Sequence, residues 1–160
     1  MRAERKKTGS KLADIINYKI DKGELVPSEI TVQLIQNAMH QHYTKNGCSH
    51  FVIDGFPRSF ENLEAWNKVM DSNKVKVEFV LYLDCPQSVM TKRLLKRGET
   101  SGRSDDNEEI IKKRFETAQK ETMPIVEHYE KQPGMLKNIS ADQTVEEVFA
   151  KVAALFEGFC

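Results

Sequence analysis

The stretch Phe51-Val52-Ile53-Asp54-Gly55-Phe56-Pro57-Arg58 limits what this chain can fold into more than any other. Three apolar residues, two of them β-branched or equally at home in a strand, end abruptly in an aspartate. A short apolar run of this kind predicts a buried strand of a parallel sheet. Asp54 then falls at the strand's carboxyl end, where open α/β sheets place their ligands. In phosphate-transferring folds an acidic residue there faces a Mg²⁺-bound phosphate. Gly55 lets backbone approach closely, Pro57 stops the strand, and Arg58 offers a forked cation suited to phosphate. Taken singly, each residue is as well explained by a strand, a turn and a surface arginine. The ordered set behind an apolar strand is not.

A second apolar run, Val77 to Leu83, stops at Asp84-Cys85-Pro86, and a third short strand is expected over Met135 to Ile139. Helical spacing fills the intervals. Leu12, Ile15, Ile16 and Ile20 share a face that Gly23 closes. Ser28 is expected to cap a helix burying Leu34, Ile35, Ala38 and Met39. Leu63, Trp66, Val69 and Met70 make one face of a short helix. Pro86 suits the first turn of a helix that buries Val89, Met90, Leu94 and Leu95 and ends at Gly98. Residues 99–107 hold no apolar side chain, which reads as a solvated loop. Asp106 with Glu109 is expected to cap the next helix, which Pro124 kinks or restarts. Thr144 with Glu147 is a capping box for a last helix buried through Val145, Val148, Phe149, Val152 and Phe156. Strands alternating with helices predict an α/β three-layer sandwich with a parallel sheet.

At 160 residues the chain is expected to be a single domain. Basic and acidic residues balance at 24 each, so nothing global points to nucleic acid or a membrane surface. Cys48, Cys85 and Cys160 form no C-x-x-C pair, which favours reduced thiols and a cytoplasmic location, the nucleus remaining open. No leader pattern is present, and no apolar run reaches the ~20 residues that span a bilayer.

Arginine is scarce: Arg2, Arg5, Arg58, Arg93, Arg97, Arg103 and Arg114. Four of the seven lie between positions 93 and 114, around the apolar-free loop. A guanidinium stays charged and binds phosphate oxygens two at a time, so this loop suits a lid over a polyphosphate. Phosphoryl transfer needs positioning and charge stabilisation more than covalent chemistry, and no Ser-His-Asp pattern or catalytic cysteine signature competes. His40 and His42, two apart on a helix, point in different directions and read as surface residues. Cys85 and Trp66 read as packing residues. A nucleic-acid or phosphoprotein module using the arginine loop is the reading from another class, which the neutral charge disfavours.

Gly23-Glu24-Leu25-Val26-Pro27, then Asp54-Gly55-Phe56-Pro57-Arg58, then Lys96-Arg97-Gly98-Glu99-Thr100-Ser101-Gly102-Arg103-Ser104-Asp105-Asp106-Asn107 together resemble the nucleoside monophosphate kinases, the family of adenylate kinase and UMP/CMP kinase. The resemblance covers about residues 2–156. It implies a P-loop nucleoside triphosphatase-like fold, ATP with Mg²⁺, nucleotide substrates, and a monomer that engages neither nucleic acid nor membrane. Residues 1–45 would be the acceptor-binding helices and 98–107 the lid. Arg2 and Arg58 are similar to the pair holding the acceptor's phosphate. Glu24, Leu25 and Val26 resemble the segment that holds its ribose and base, and Gly55, Phe56 and Pro57 line the acceptor site. Arg97 is similar to the residue that stacks on the ATP adenine. Arg103 and Arg114 resemble the catalytic lid arginines that, with Arg58, meet donor and acceptor phosphates. Backbone near Met135 would touch the donor base, and Asp54 and Asp84 would hold waters around Mg²⁺.

Asn62 touches the acceptor base in this family, where adenylate kinases carry glutamine and UMP/CMP kinases asparagine. A shorter amide suits a smaller pyrimidine edge, so the resemblance favours UMP or CMP over AMP, although the lid is equally close to the adenylate kinase branch. The 160 residues contain no G-x-x-x-x-G-K motif, whose backbone and lysine cradle donor phosphates. The chain thus resembles a family member without its N-terminal strands and phosphate loop, roughly forty residues, about one βα unit. The resulting expectation is negligible kinase activity for the chain as written, with a non-catalytic nucleotide-binding remnant as the alternative.

Overall fold

The computed structural model describes residues 2–6, 9–72, 74–103 and 105–157, the side chains of residues 2 and 3 excepted. After a short α1 (Arg2–Arg5), helix α2 (Lys11–Asp21) starts where the Ser10 hydroxyl accepts the Ala13 N–H. It ends as its sequence predicts. Gly23 takes φ 70°, its N–H donates to the Ile20 carbonyl, and the Glu24 N–H donates to the Lys19 carbonyl. These two bonds satisfy carbonyls that the helix end would leave orphaned. Helix α3 (Ser28–Asn46) follows, but Ser28 does not cap it. Pro27 holds the cap position, and the Ser28 hydroxyl accepts from Asn62 Nδ2 at 2.7 Å instead.

The sheet has two parallel strands, β1 (Val80–Asp84) and β2 (Leu136–Ser140), with Val80 opposite Leu136 and Asp84 opposite Ser140. The strand expected at 51–53 does not form: among the described residues it pairs with nothing, and Val52 is 80% exposed. An apolar run supplies the side chains of a strand but not the neighbour its backbone must bond to. Ile53 still packs against a core of Val32, Ala65, Trp66 and Met70, which joins α3 to α4 (Phe60–Val69). This core falls on Val32 rather than Ala38, which is exposed.

Between β1 and β2 the chain crosses over through α5 (Gln87–Ser101), α6 (Glu108–Thr117), a five-residue π-helical turn (Ala118–Thr122) and α7 (Met123–Glu130). The restart expected at Pro124 coincides with the exit from the π turn. Helix α5 does not end at Gly98 but runs on to Ser101, where Gly102 at φ 61° stops it. Gly98 is interior because the Asp106 backbone packs on it: a Cβ there would stand 2.7 Å from the Asp106 carbonyl oxygen. Gly98→Ala is therefore expected to push the two segments apart and lower stability by about 1–3 kcal/mol, the usual cost of overpacking, measured by urea unfolding against the parent chain.

Helix α8 (Val145–Phe156) opens with the anticipated capping box between Thr144 and Glu147. Its inner face is less covered than expected. Phe156 meets Phe79 at 5.4 Å between ring centres, but Val145 is 80% and Phe149 69% exposed, since α8 leans on β2 at the end of a two-strand sheet. Among the described residues no helix is long and apolar enough to cross a membrane.

Candidate active site

Arg58 is held at three points. Its Nε donates to the Gly55 carbonyl at 2.7 Å, and its backbone N–H donates to Asn62 Oδ1 at 3.0 Å. Its own carbonyl accepts from Thr122 Oγ1 at 2.9 Å. Gly55 sits at φ 69°, a left-handed conformation that favours glycine, and a Cβ there would push on the movable end of the Arg58 side chain. Ser59 starts α4 by accepting the Asn62 N–H, and Phe56 lies 5.5 Å from the Trp66 ring beside the cis Phe56–Pro57 peptide. The Arg58 terminal amino groups make no hydrogen bond to any described residue. Desolvation first, and the charge of Arg114 second, push the Arg58 pKa below its ordinary value, while Asp54 opposes them. Arg58 thus keeps donors to spare within the field of a second cation.

The second half of the cluster turns on Asp106, whose carboxylate is fully buried. Arg97 Nε and Nη2 donate to its two oxygens, each at 2.7 Å. Arg114 Nη1 lies 3.7 Å from Asp106 Oδ1 and donates to Asp105 Oδ2 at 3.2 Å. The Arg97 hydrogen bonds hold the Asp106 pKa below the usual carboxylate range, aided by the charges of Arg97, Arg114 and Arg103. The same contact raises the Arg97 pKa. Arg97 and Arg114 thus meet at one carboxylate. Asp106 does not cap α6 as expected; Asn107 does, accepting from the Ile110 N–H at 3.1 Å, because Arg97 claims the Asp106 side chain. Asp105 and Asp106 as organisers of the arginines were not anticipated. The available signal was two adjacent acids amid the chain's densest run of arginine.

Other site residues lie around this axis. Glu24 is exposed and accepts from Lys19 Nζ at 2.6 Å, Leu25 is half-buried and Val26 buried. A cavity of about 490 Å³ opens beside Glu24 and Leu25, with Lys19, Ser59, Lys113 and Thr117 on its walls; Arg58 and Arg114 do not line it. Asn62 is only 5% exposed, its amide shared between Ser28 and the Arg58 backbone. Because a backbone N–H can only donate, Oδ1 must face Arg58 and Nδ2 must face Ser28. Met135 spends its N–H on the Gln132 carbonyl and its carbonyl on the Val80 N–H; no hydrogen bond joins it to the arginines among the described residues. Asp54 and Asp84 are exposed carboxylates, free to meet metal-bound water, and Asp84 stands at the carboxyl end of β1. Among the described residues no group of three His, Cys, Asp or Glu could hold a metal ion by itself. The Arg2 side chain and Ser104 of the lid lie outside the described residues.

A parallel α/β core with arginines gathered around buried aspartates is an arrangement suited to a phosphate-handling protein of the nucleotide kinase type. The chain belongs to the adenylate kinase family, the ATP-dependent nucleoside monophosphate kinases of P-loop fold: residues 1–134 match that family's model. It is 44% identical over 158 residues to a UMP-CMP kinase of Gallus gallus, which covers 98% of this chain and 80% of that protein. It is 45% identical over 157 residues to UMP-CMP kinase 2 of Caenorhabditis elegans, covering 98% of this chain and 78% of that one. Against the UMP-CMP kinase of Homo sapiens the identity is 43% over 158 residues, covering 98% and 80%.

Proposed function

We propose that the acceptor is a pyrimidine monophosphate, UMP or CMP, with ATP as donor. The observation that carries this reading is Asn62, a short amide fixed in orientation beside Arg58, in a chain whose relatives are named UMP-CMP kinases. One N–H of its Nδ2 and one lone pair of its Oδ1 remain to meet a base edge. Arg58, with Arg2, holds the acceptor phosphate. Glu24 to Val26 hold its ribose and base, and Gly55 to Pro57 line that site. An acceptor phosphate oxygen attacks the γ-phosphorus as the bond to the β,γ-bridging oxygen breaks, and ADP carries that oxygen away. Arg58, Arg103 and Arg114 stabilise the charge spread over the transferring group. Arg97 supports the donor adenine on the guanidinium face that Asp106 leaves open, and backbone near Met135 meets its edge. Asp54 and Asp84 would hold the waters around a Mg²⁺ bound with ATP, and the ion would supply charge neutralisation to the transferring phosphate.

The test is calorimetric titration of the purified chain with UMP, CMP and AMP, beside turnover of each with Mg-ATP, which is expected to be negligible for these 160 residues, as they hold no G-x-x-x-x-G-K motif. UMP and CMP are expected to bind at least about tenfold more tightly than AMP, the discrimination that matched buried polar groups readily supply. Tighter binding or faster turnover of AMP would overturn the pyrimidine assignment.

A further inference from the structure

Helices α6 and α7 would form one rod but for the π turn at Ala118–Thr122, closed by the Met123 N–H donating to the Ala118 carbonyl. Such single turns are rare and gather at functional sites. This one alters which side chains share a face. In an α-helix of 3.6 residues per turn, residues five apart point roughly 140° away from each other. Hydrogen bonding from i to i+5 widens the turn and brings them toward the same side. Thr117 and Thr122 are five apart and bracket the turn. Thr117 Oγ1 reaches the Gly23 carbonyl at 3.4 Å as well as Lys113 of its own helix, and Thr122 Oγ1 reaches the Arg58 carbonyl at 2.9 Å.

Those two targets are the turn leading into Glu24–Val26 and the backbone of Arg58. Arg114 itself rides on the same rod, one turn before Thr117. Gly23 rests against it closely: a Cβ at Gly23 would lie 3.4 Å from Arg114 Cγ and 3.3 Å from Lys113 Cβ. One helical stretch therefore carries Arg114 and ties down the backbone of Arg58. With Thr122 on a regular α-helix, the hydroxyl would turn away from Arg58.

We propose that the π turn is a register device and that Thr122 is a positioning residue that holds the Arg58 backbone in place. The proposal rests on the reading of Arg58 as the acceptor-phosphate anchor. Thr122→Val removes the hydroxyl and keeps the shape, and Thr122→Ser keeps the hydroxyl. Each is titrated with UMP, and solvent exchange of the Arg58 Nε proton is followed by NMR without nucleotide. Thr122→Val should weaken UMP binding about five- to tenfold, as expected for one lost hydrogen bond, and speed the exchange. Thr122→Ser should restore both to within about twofold, and Thr117→Val should leave the Arg58 proton unchanged. Where valine packs badly, Thr122→Ala replaces it. Unchanged exchange in Thr122→Val, or a serine variant as impaired as the valine one, overturns the proposal. If the parent chain binds no UMP, the role given to Arg58 falls, while the exchange rates still decide whether Thr122 positions it.

Discussion

Replacing Arg58 by methionine is expected to weaken UMP binding at least about a hundredfold while leaving the fold intact. The side chain keeps two terminal amino groups without a described partner, in the field of a second arginine. A phosphate there would gain two charge-assisted hydrogen bonds, each worth about 1.5–3 kcal/mol, and about 1.4 kcal/mol is a factor of ten in affinity. The stability cost should be small, under about 1 kcal/mol. The one hydrogen bond that the side chain makes among the described residues, Nε to the Gly55 carbonyl, is at the surface, and losing one of two like charges offsets part of its loss. Calorimetry and thermal melting on the same preparations separate the two effects. An unchanged dissociation constant would remove Arg58 from the acceptor site.

Arg97→Met is expected to act in the opposite way, mainly on stability. It strips the bidentate partner from a carboxylate with no solvent exposure, leaving Arg114 at 3.7 Å as the nearest counter-charge on that side chain. The expected loss at pH 7 is about 2–3 kcal/mol. That is below the cost of orphaning a charge from a fully buried pair, because Arg97 itself is 39% exposed. The pH dependence distinguishes this cause from lost packing. In the parent chain the Asp106 pKa is lowered in the folded state, so its contribution is complete above the ordinary carboxylate value, about 4, and fades as pH falls through and below it. In the variant, burial without the partner raises that pKa. The folded chain then binds a proton more readily than the unfolded one, and the deficit shrinks as pH falls from 7 toward 4. Urea unfolding of both proteins at pH 7 and pH 5 measures this. A deficit equal at the two pH values would place the cost in packing.

What could be read before the structure follows the range of the interactions involved. Gly23 and the Thr144–Glu147 box are local devices, complete within six residues, and both stand where the sequence puts them. The runs that became β1 and β2 were legible to within a few residues, since each found the other. The run at 51–53 is no less apolar, yet no ladder forms, because pairing depends on a neighbour far along the chain. Ser28 and Asp106 failed as helix caps for a related reason. Each had a stronger claimant, Asn62 34 residues away and Arg97 nine residues away. Within the candidate site, the scarcity of arginine made positions 58, 97, 103 and 114 conspicuous. The groups that hold them were not. Nothing in Ala118-Gln119-Lys120-Glu121-Thr122 announces a wider helical turn, and the bond from Thr122 spans 64 residues.

The sharing of Asp106 between Arg97 and Arg114 couples those two positions. A change at one alters the electrostatic surroundings of the other, so the effect of a second change depends on whether the first has already been made.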